Sequence, residues 1–386
     1  MSERKLKAWQ QAGLIDASLA DRIRAWEAKN SRPIGIWALV SLGALAIGLG
    51  VVSVVAANWD AIPGEVRLAL HFLAMAGLAA FLWTRLAAEQ GLSDWFADSL
   101  IFVAAILGLT CLAHIGQVYQ TSSPLWQPLL AWLVIYSPLL LLFGRGWPAA
   151  GLWMAAVLGT AFAHADDYSN FWSMVPRRSE HFATVYWGLI FCPPMLVAGI
   201  SAIMRERSSR AQFWRLLEKM AIVVILGGVS VAIVTRSWSG DDFMIGSVVI
   251  QSLVLLGAAG VSLYARPNRS GRSTAIILAA AAAIHIGGTL LAYSVRYGET
   301  QWLNAFCFLL LWTAVAYAAL TAGWRHMFQC AIAVLAVRII ILSFELSDDL
   351  LGSGVGLIFA GISAMAVGWA TVKVSKRYAP KSGEIA

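Results

Sequence analysis

Nine residues in this chain set polar chemistry against apolar surroundings: His71, His114, Gln117, Tyr119, Gln251, His285, Asn304, Arg338 and Glu345. The three histidines could change charge near neutral pH and so couple proton movement to binding. Arg338 presents the planar fork of donors that grips a carboxylate, a phosphate or a lipid head group at two points. Glu345 follows it on the same helix face but two turns away, too far for a direct pair. An uncompensated Arg in hydrocarbon costs at least ~2.5–3.5 kcal/mol, so Arg338 needs an anion, water or a partner from another helix. It is therefore the leading ligand contact in the sequence. No carboxylate is embedded deep in an apolar run, which argues against a proton-driven carrier.

A second group lies in HADDYSNFWSMVPRRSEH, where His164, Asp166, Asp167, Glu180 and His181 are of types that ligate divalent metals. Their spacing matches no metal signature, Arg177 and Arg178 would oppose a cation, and loop acids are commonly just solvated. Only His164, Asp166, Asp167 and His181 are kept as weak metal candidates. Cys111, Cys192, Cys307 and Cys330 show no CxxC spacing. No GxSxG, HExxH, Walker-type loop or paired carboxylate occurs, so the expectation is a protein that is not an enzyme and holds no cofactor.

The elements that must position these groups are set by composition. Of 386 residues, 59% are hydrophobic and 13% charged, with a mean hydropathy of +0.72, more apolar matter than one soluble core requires. Runs long enough to cross ~30 Å of hydrocarbon fall at 34–57, 66–84, 99–117, 125–143, 147–165, 182–204, 217–236, 243–265, 273–294, 303–322, 327–344 and 352–374. Gly144, Arg145, Gly146 and Pro148 form the only break between the fourth and fifth, which suits a tight helical hairpin. The fold class is thus all-α, a polytopic bundle of about twelve transmembrane helices.

With both termini in the cytoplasm, 22 of the 28 Lys and Arg fall on the inner side, as cytoplasmic loops require. A missed or extra span in mid-chain would scramble that asymmetry. The net charge of +7 then faces anionic lipid head groups and implies no nucleic-acid partner. Many of the 18 tryptophans sit near span ends, as an interfacial belt demands. The long first apolar run reads as an anchor rather than a signal peptide, and the expected location is the inner membrane.

Orientation also assigns depths. His71, His114, Gln117, Gln251, His285, Asn304 and Arg338 all fall in the outer half or at the outer ends of their spans, and none of the strongly polar span residues falls in the cytoplasmic half. Taken singly, each reads as a hydrogen bond between helices worth ~0.6–2 kcal/mol, and Arg338 can snorkel outward. Taken together, they suggest one outward-facing polar cavity with His114, Gln117 and Tyr119 at its mouth.

Residues 1–33 form the only sizeable soluble element. Leu6, Trp9 and Gly13 mark a short helix that GLID breaks, and Ser18 with Asp21 reads as the capping box of a second. Leu19, Ile23 and Trp26 give that helix a narrow apolar stripe, so the segment either lies on the membrane surface or docks a cytosolic partner through residues 1–30. The remaining divisions are a first six-helix half at 34–204, a basic linker at 205–219, a second half at 220–374 and a tail at 375–386. Matches such as GVVSVV at 50–55 with GGVSVA at 227–232 are compatible with a tandem repeat; GLIF at 188 and 356 disagrees in offset.

Four stretches resemble a known family, the prokaryotic predicted membrane proteins grouped as domain-of-unknown-function family 2157. They are the tail pattern through Trp9, Gly13, Leu14, Ile15, Asp16, Arg22 and Ile23; AANWDAIPGEVRLAL, with Asn58, Trp59, Pro63 and Arg67; IGQVYQTSSPLWQPLLAWLVIYSPLLLLF, with Gln117, Tyr119, Trp132 and Pro138; and VRIIILSFELSDDLLGSGVGLIFAGI, with Arg338 and Gly361. Gln120 stands where the resemblance implies a His. The family's activity is undefined, so the likeness implies architecture alone.

Two readings of function from different classes follow. One is binding or transport of a small solute or lipid through the outer cavity, with membrane lipids as constant partners. The other is a membrane sensor or assembly protein that signals through its N-terminal hairpin. An intramembrane enzyme is a third reading and would need metal at 164–181.

Overall fold

The computed structural model describes residues 61–86, 94–174, 180–235, 245–294 and 300–345, most of 6–30, and isolated positions within 42–53 and 361–373. The predicted first and twelfth spans lie almost wholly outside these. Residues 1–67 and 68–386 cluster as separate units.

In the first unit, a short helical turn ends at Gly13, whose φ of +69° is in the left-handed region glycine favours. Gly13 N–H donates to Gln10 O at 3.1 Å and Leu14 N–H to Trp9 O at 3.0 Å, a wrapped helix end. Helix α1 follows over Ala17–Asn30. Its cap is not the expected Ser18 and Asp21 box. Asp16 stands immediately before the helix, and its Oδ1 accepts from Leu19 N–H at 2.6 Å and from the Ser18 hydroxyl at 3.1 Å. Ser18 already lies inside the first turn, so it is a donor to the cap.

The membrane helices are α2 (Gly64–Leu86), α3 (Asp94–Val118), α4 (Trp126–Phe143), α5 (Trp147–Met174), α6 (Glu180–Ile190), α7 (Pro193–Arg207), α8 (Ala211–Thr235), α9 (Ile245–Ala265), α10 (Arg269–Ser294), α11 (Thr300–Thr321) and α12 (Arg325–Glu345). Among the described residues nine are long and apolar enough to cross a membrane, and α6 with α7 makes a tenth if that bent pair is one span. Every regular element among the described residues is a helix. The apolar stretch of α2 is only 11% buried and that of α11 50%. The apolar surface left outward needs a lipid solvent.

The predicted span 182–204 is not one straight helix. Pro193 and Pro194 carry no N–H, so the Ile190 carbonyl has no backbone donor three or four residues on. The chain breaks there with a bend of 45°. Cys192 covers part of the loss: its N–H donates to Leu189 O and its thiol to Gly188 O, both at 3.0 Å.

Helix α8 is the centre of the core, packed by α5, α7, α10 and α11. Its Leu217, Ala221, Ile225 and Val229, four residues apart, form a buried stripe. Small residues let neighbours approach: a Cβ on Gly199 of α7 would lie 3.5 Å from the Ala258 Cα of α9. Gly108 of α3 is tighter still, since a Cβ there would overlap the Tyr136 ring of α4. Beside it the fully buried Trp132 donates its indole N–H to Ala105 O at 2.7 Å.

Candidate functional site

Helix α3 ends by wrapping on itself. Gln120 takes a φ of +52°, Thr121 N–H donates to Gly116 O at 3.1 Å, and the Gln120 amide donates to Gln117 O at 3.1 Å. Gln117 and Tyr119 are therefore exposed at a helix end. His114, one turn back, faces inward and is buried.

His114 meets His71 of α2, with the two Nδ1 atoms 3.4 Å apart. The other ring nitrogen of His71 lies 3.0 Å from Leu107 O and 3.5 Å from the Thr110 hydroxyl. Because a carbonyl only accepts, that Nε2 carries a proton. These groups join α2 to α3 across an otherwise sparse contact.

Gln251 of α9 and His285 of α10 form a second pair. The Gln251 amide nitrogen donates to Trp187 O at 3.0 Å, and its Oε1 lies 3.0 Å from His285 Nε2. They line a cavity of about 650 Å³ between α5, the broken pair α6 and α7, α8, α9 and α10. Apart from Ser247 its walls are otherwise apolar, with Phe162, Trp187, Phe191, Met195, Ile225 and Val229 prominent. A second cavity of about 620 Å³ between α2, α3 and α4 is lined by apolar and aromatic side chains.

Of the nine predicted residues, Gln251 and His285 line the larger cavity. Asn304 is buried at the start of α11, with no partner for either amide atom among the described residues. The Arg338 guanidinium lies 5.8 Å from the centre of the Phe308 ring, a cation–π contact between α12 and α11. Glu345 is the last residue of α12, and its side chain lies outside the described ones.

The metal candidates are engaged otherwise. Asp167 accepts from the Trp126 indole N–H at 2.9 Å, and His164 Nδ1 is 2.5 Å from the Tyr186 hydroxyl. Asp166 is exposed, and the side chain of His181 lies outside the described ones. Among the described residues no three His, Cys, Asp or Glu converge as a metal would need.

The end of the bundle that carries the basic loops holds a set of buried charges beyond the nine predicted residues. Glu218 is in the second turn of α8, buried in the half expected to lack strongly polar span residues. Arg205 Nη1 donates to its Oε2 at 3.1 Å, and the equally buried Arg266, just beyond α9, holds its Oε1. Burial lowers the Arg266 pKa and Glu218 opposes that shift. Nearby, Asp98 accepts from the N–H groups of Arg145 and Gly146 at 2.8 and 3.0 Å. Arg210 donates to Gly144 O at 2.7 Å and Leu141 O at 2.5 Å, closing the C-terminus of α4. Burial, then the nearby Arg145, hold the Arg210 guanidinium below its ordinary pKa. These contacts lock helix ends together, and a count of loop charges could not have found them.

Long apolar helices, outward apolar faces and buried ion pairs at the helix ends define a polytopic helical membrane protein. Within it, residues 7–149 match the family model described as a predicted membrane protein (DUF2157). The first three resembling stretches lie inside the match and the fourth, at 337–362, lies beyond it. No curated protein and no solved structure matches the chain.

Proposed function

We propose that this membrane protein binds, and by that means transports, an amphipathic small molecule or lipid in the cavity beside Gln251 and His285. What supports the reading is the composition of that cavity: about 650 Å³, mostly apolar walls, and few polar groups, namely Ser247 and the hydrogen-bonded pair Gln251 and His285. Ligand pockets of ~300–1,000 Å³ with few placed polar groups have this character. A freely hydrated polar solute would lose its water against such walls with little in return. In this reading the basic loops and both termini face the cytoplasm, so the cavity lies in the outer half of an inner-membrane protein.

Gly228 lines the cavity, and a Cβ there would meet nothing within 4 Å. Gly228→Trp should therefore fill the cavity without disturbing α8. Native mass spectrometry of the detergent-purified protein should show a co-purifying amphiphile on the parent chain and none on Gly228→Trp. Equal occupancy of both would overturn the reading.

A further inference from the structure

Six rings run in file from the acidic-loop end of the bundle to the cavity wall. Trp126 of α4 lies 4.5 Å from His164 of α5, His164 lies 5.4 Å from Tyr186, and Tyr186 lies 5.3 Å from Trp187 on α6. The file continues from Trp187 to Phe191 at 6.4 Å and from Phe191 to Phe162 at 5.5 Å. Phe162, Trp187 and Phe191 line the cavity, so the last three rings belong to its wall. An interfacial anchor presents single rings to the head groups. Here each ring touches the next and the file leads inward.

The other end of the file is anionic. Asp167 receives the Trp126 indole N–H through Oδ2, and Asp166 is exposed beside it. The faces of aromatic rings carry the negative part of their quadrupole and attract cations, tryptophan most strongly. Among the described residues no Lys or Arg lines the cavity or belongs to the file. Among these residues an anionic head group would find no countercharge. A cation would meet aromatic rings at the wall, with the Asp167 carboxylate at the far end of their file.

Resting on the proposed amphiphile site, we propose that its ligand carries a cationic head group of the quaternary or protonated amine class. The ammonium lies against Trp187 and the neighbouring rings under the field of Asp167, and the apolar tail lies along Ile225, Val229 and Met195. This chemistry serves the amine of a lipid head group and a free cationic amphiphile alike. It excludes the fatty acids and phosphate monoesters for which Arg338 first suggested itself.

The test uses three dodecyl chains bearing a diazirine at the same carbon, with trimethylammonium, sulfate and hydroxyl heads, applied to the full protein in zwitterionic nanodiscs. Labelling of the cavity-lining peptides should be about ten-fold greater for the ammonium probe than for the other two. Asp167→Asn retains an acceptor for Trp126 but not the charge, and it should cut that preference several-fold while leaving the hydroxyl probe unaffected. Trp187→Leu should do the same. Equal labelling by all three probes, all blocked by Gly228→Trp, would overturn the cationic assignment while leaving the amphiphile site in place. Labelling that Gly228→Trp does not block would overturn both. Competition by an unlabelled ethanolamine-headgroup lipid, compared with a free alkylamine, then separates the two ligand sources.

Discussion

Gln251 and His285 fix one another's hydrogens. Trp187 O can only accept, so the Gln251 nitrogen must face it and the Gln251 oxygen must face His285 Nε2. That nitrogen therefore carries a proton, and a neutral His285 is the Nε2–H tautomer. ¹⁵N spectra of histidine-labelled protein, assigned with His285→Gln, should show the neutral ring of His285 in that form. Gln251→Leu should abolish the preference and lower unfolding stability by ~0.6–2 kcal/mol, the range for hydrogen bonds between membrane helices. A variant as stable as the parent, with the tautomer unchanged, would refute the clamp.

The Glu218 pairs invite a larger effect. Glu218 and Arg266 are both almost fully buried, and Arg205 shares the same carboxylate. Removing one partner of a buried pair leaves an uncompensated charge and costs ~3–5 kcal/mol. Glu218→Gln, which leaves two guanidinium groups side by side, should destabilise by about that much in denaturant titration. The double change Glu218→Met with Arg266→Met should recover part of the loss. If the double variant proves no better than the single one, the cost lies in packing and not in charge.

At the turn between α4 and α5, Asp98 receives two backbone N–H groups, and a Cβ on Gly146 would lie 2.8 Å from its Oδ2. Hydrogen bonds to a charged acceptor contribute ~1.5–3 kcal/mol. Asp98→Ala should cost an amount of that order, and Gly146→Ala should also destabilise because the carboxylate must move. The two costs should not add, since both changes break one clamp. Additive losses in a double-mutant cycle would count against the arrangement.

Much of this architecture is visible in the sequence because lipid makes a severe demand on it. A span needs an apolar run of fixed minimum length, and the predicted limits at 66–84, 217–236 and 243–265 fall within a few residues of α2, α8 and α9 except where α8 begins earlier. The turn at Gly144–Gly146 was legible for the same reason. Tertiary placement was not. Glu218 lies near a span end and Arg266 in a loop, and nothing in a one-dimensional reading shows that they meet. Depth alone put His71, His114, Gln251, His285 and Arg338 in one cavity, but depth does not give the azimuth around the bundle. The break at Pro193 and Pro194 was readable from their missing N–H groups, yet high hydropathy on both sides hid it. The file of aromatic rings was equally hidden, because sequence distance does not show that His164 meets both Trp126 and Tyr186.

Asp16 gives a prediction outside the membrane. Leu19 N–H, then the Ser18 hydroxyl, donate to its carboxylate and hold its pKa below the ordinary Asp range. The folded form therefore binds its proton less readily than the unfolded one. The cap's contribution is complete above the ordinary Asp value of ~3.9 and is lost as pH falls from there through the lowered folded value. A ¹³C-carboxyl titration of the intact protein should put the Asp16 midpoint below ~3.9, and Ser18→Ala should move it part of the way back. Asp16→Ala should fray the first turn of α1, read as reduced helical ¹³Cα shifts at Leu19 and Ala20, at neutral pH where the parent is capped. A normal Asp16 midpoint together with an unchanged first turn would return the capping role to Ser18 and Asp21.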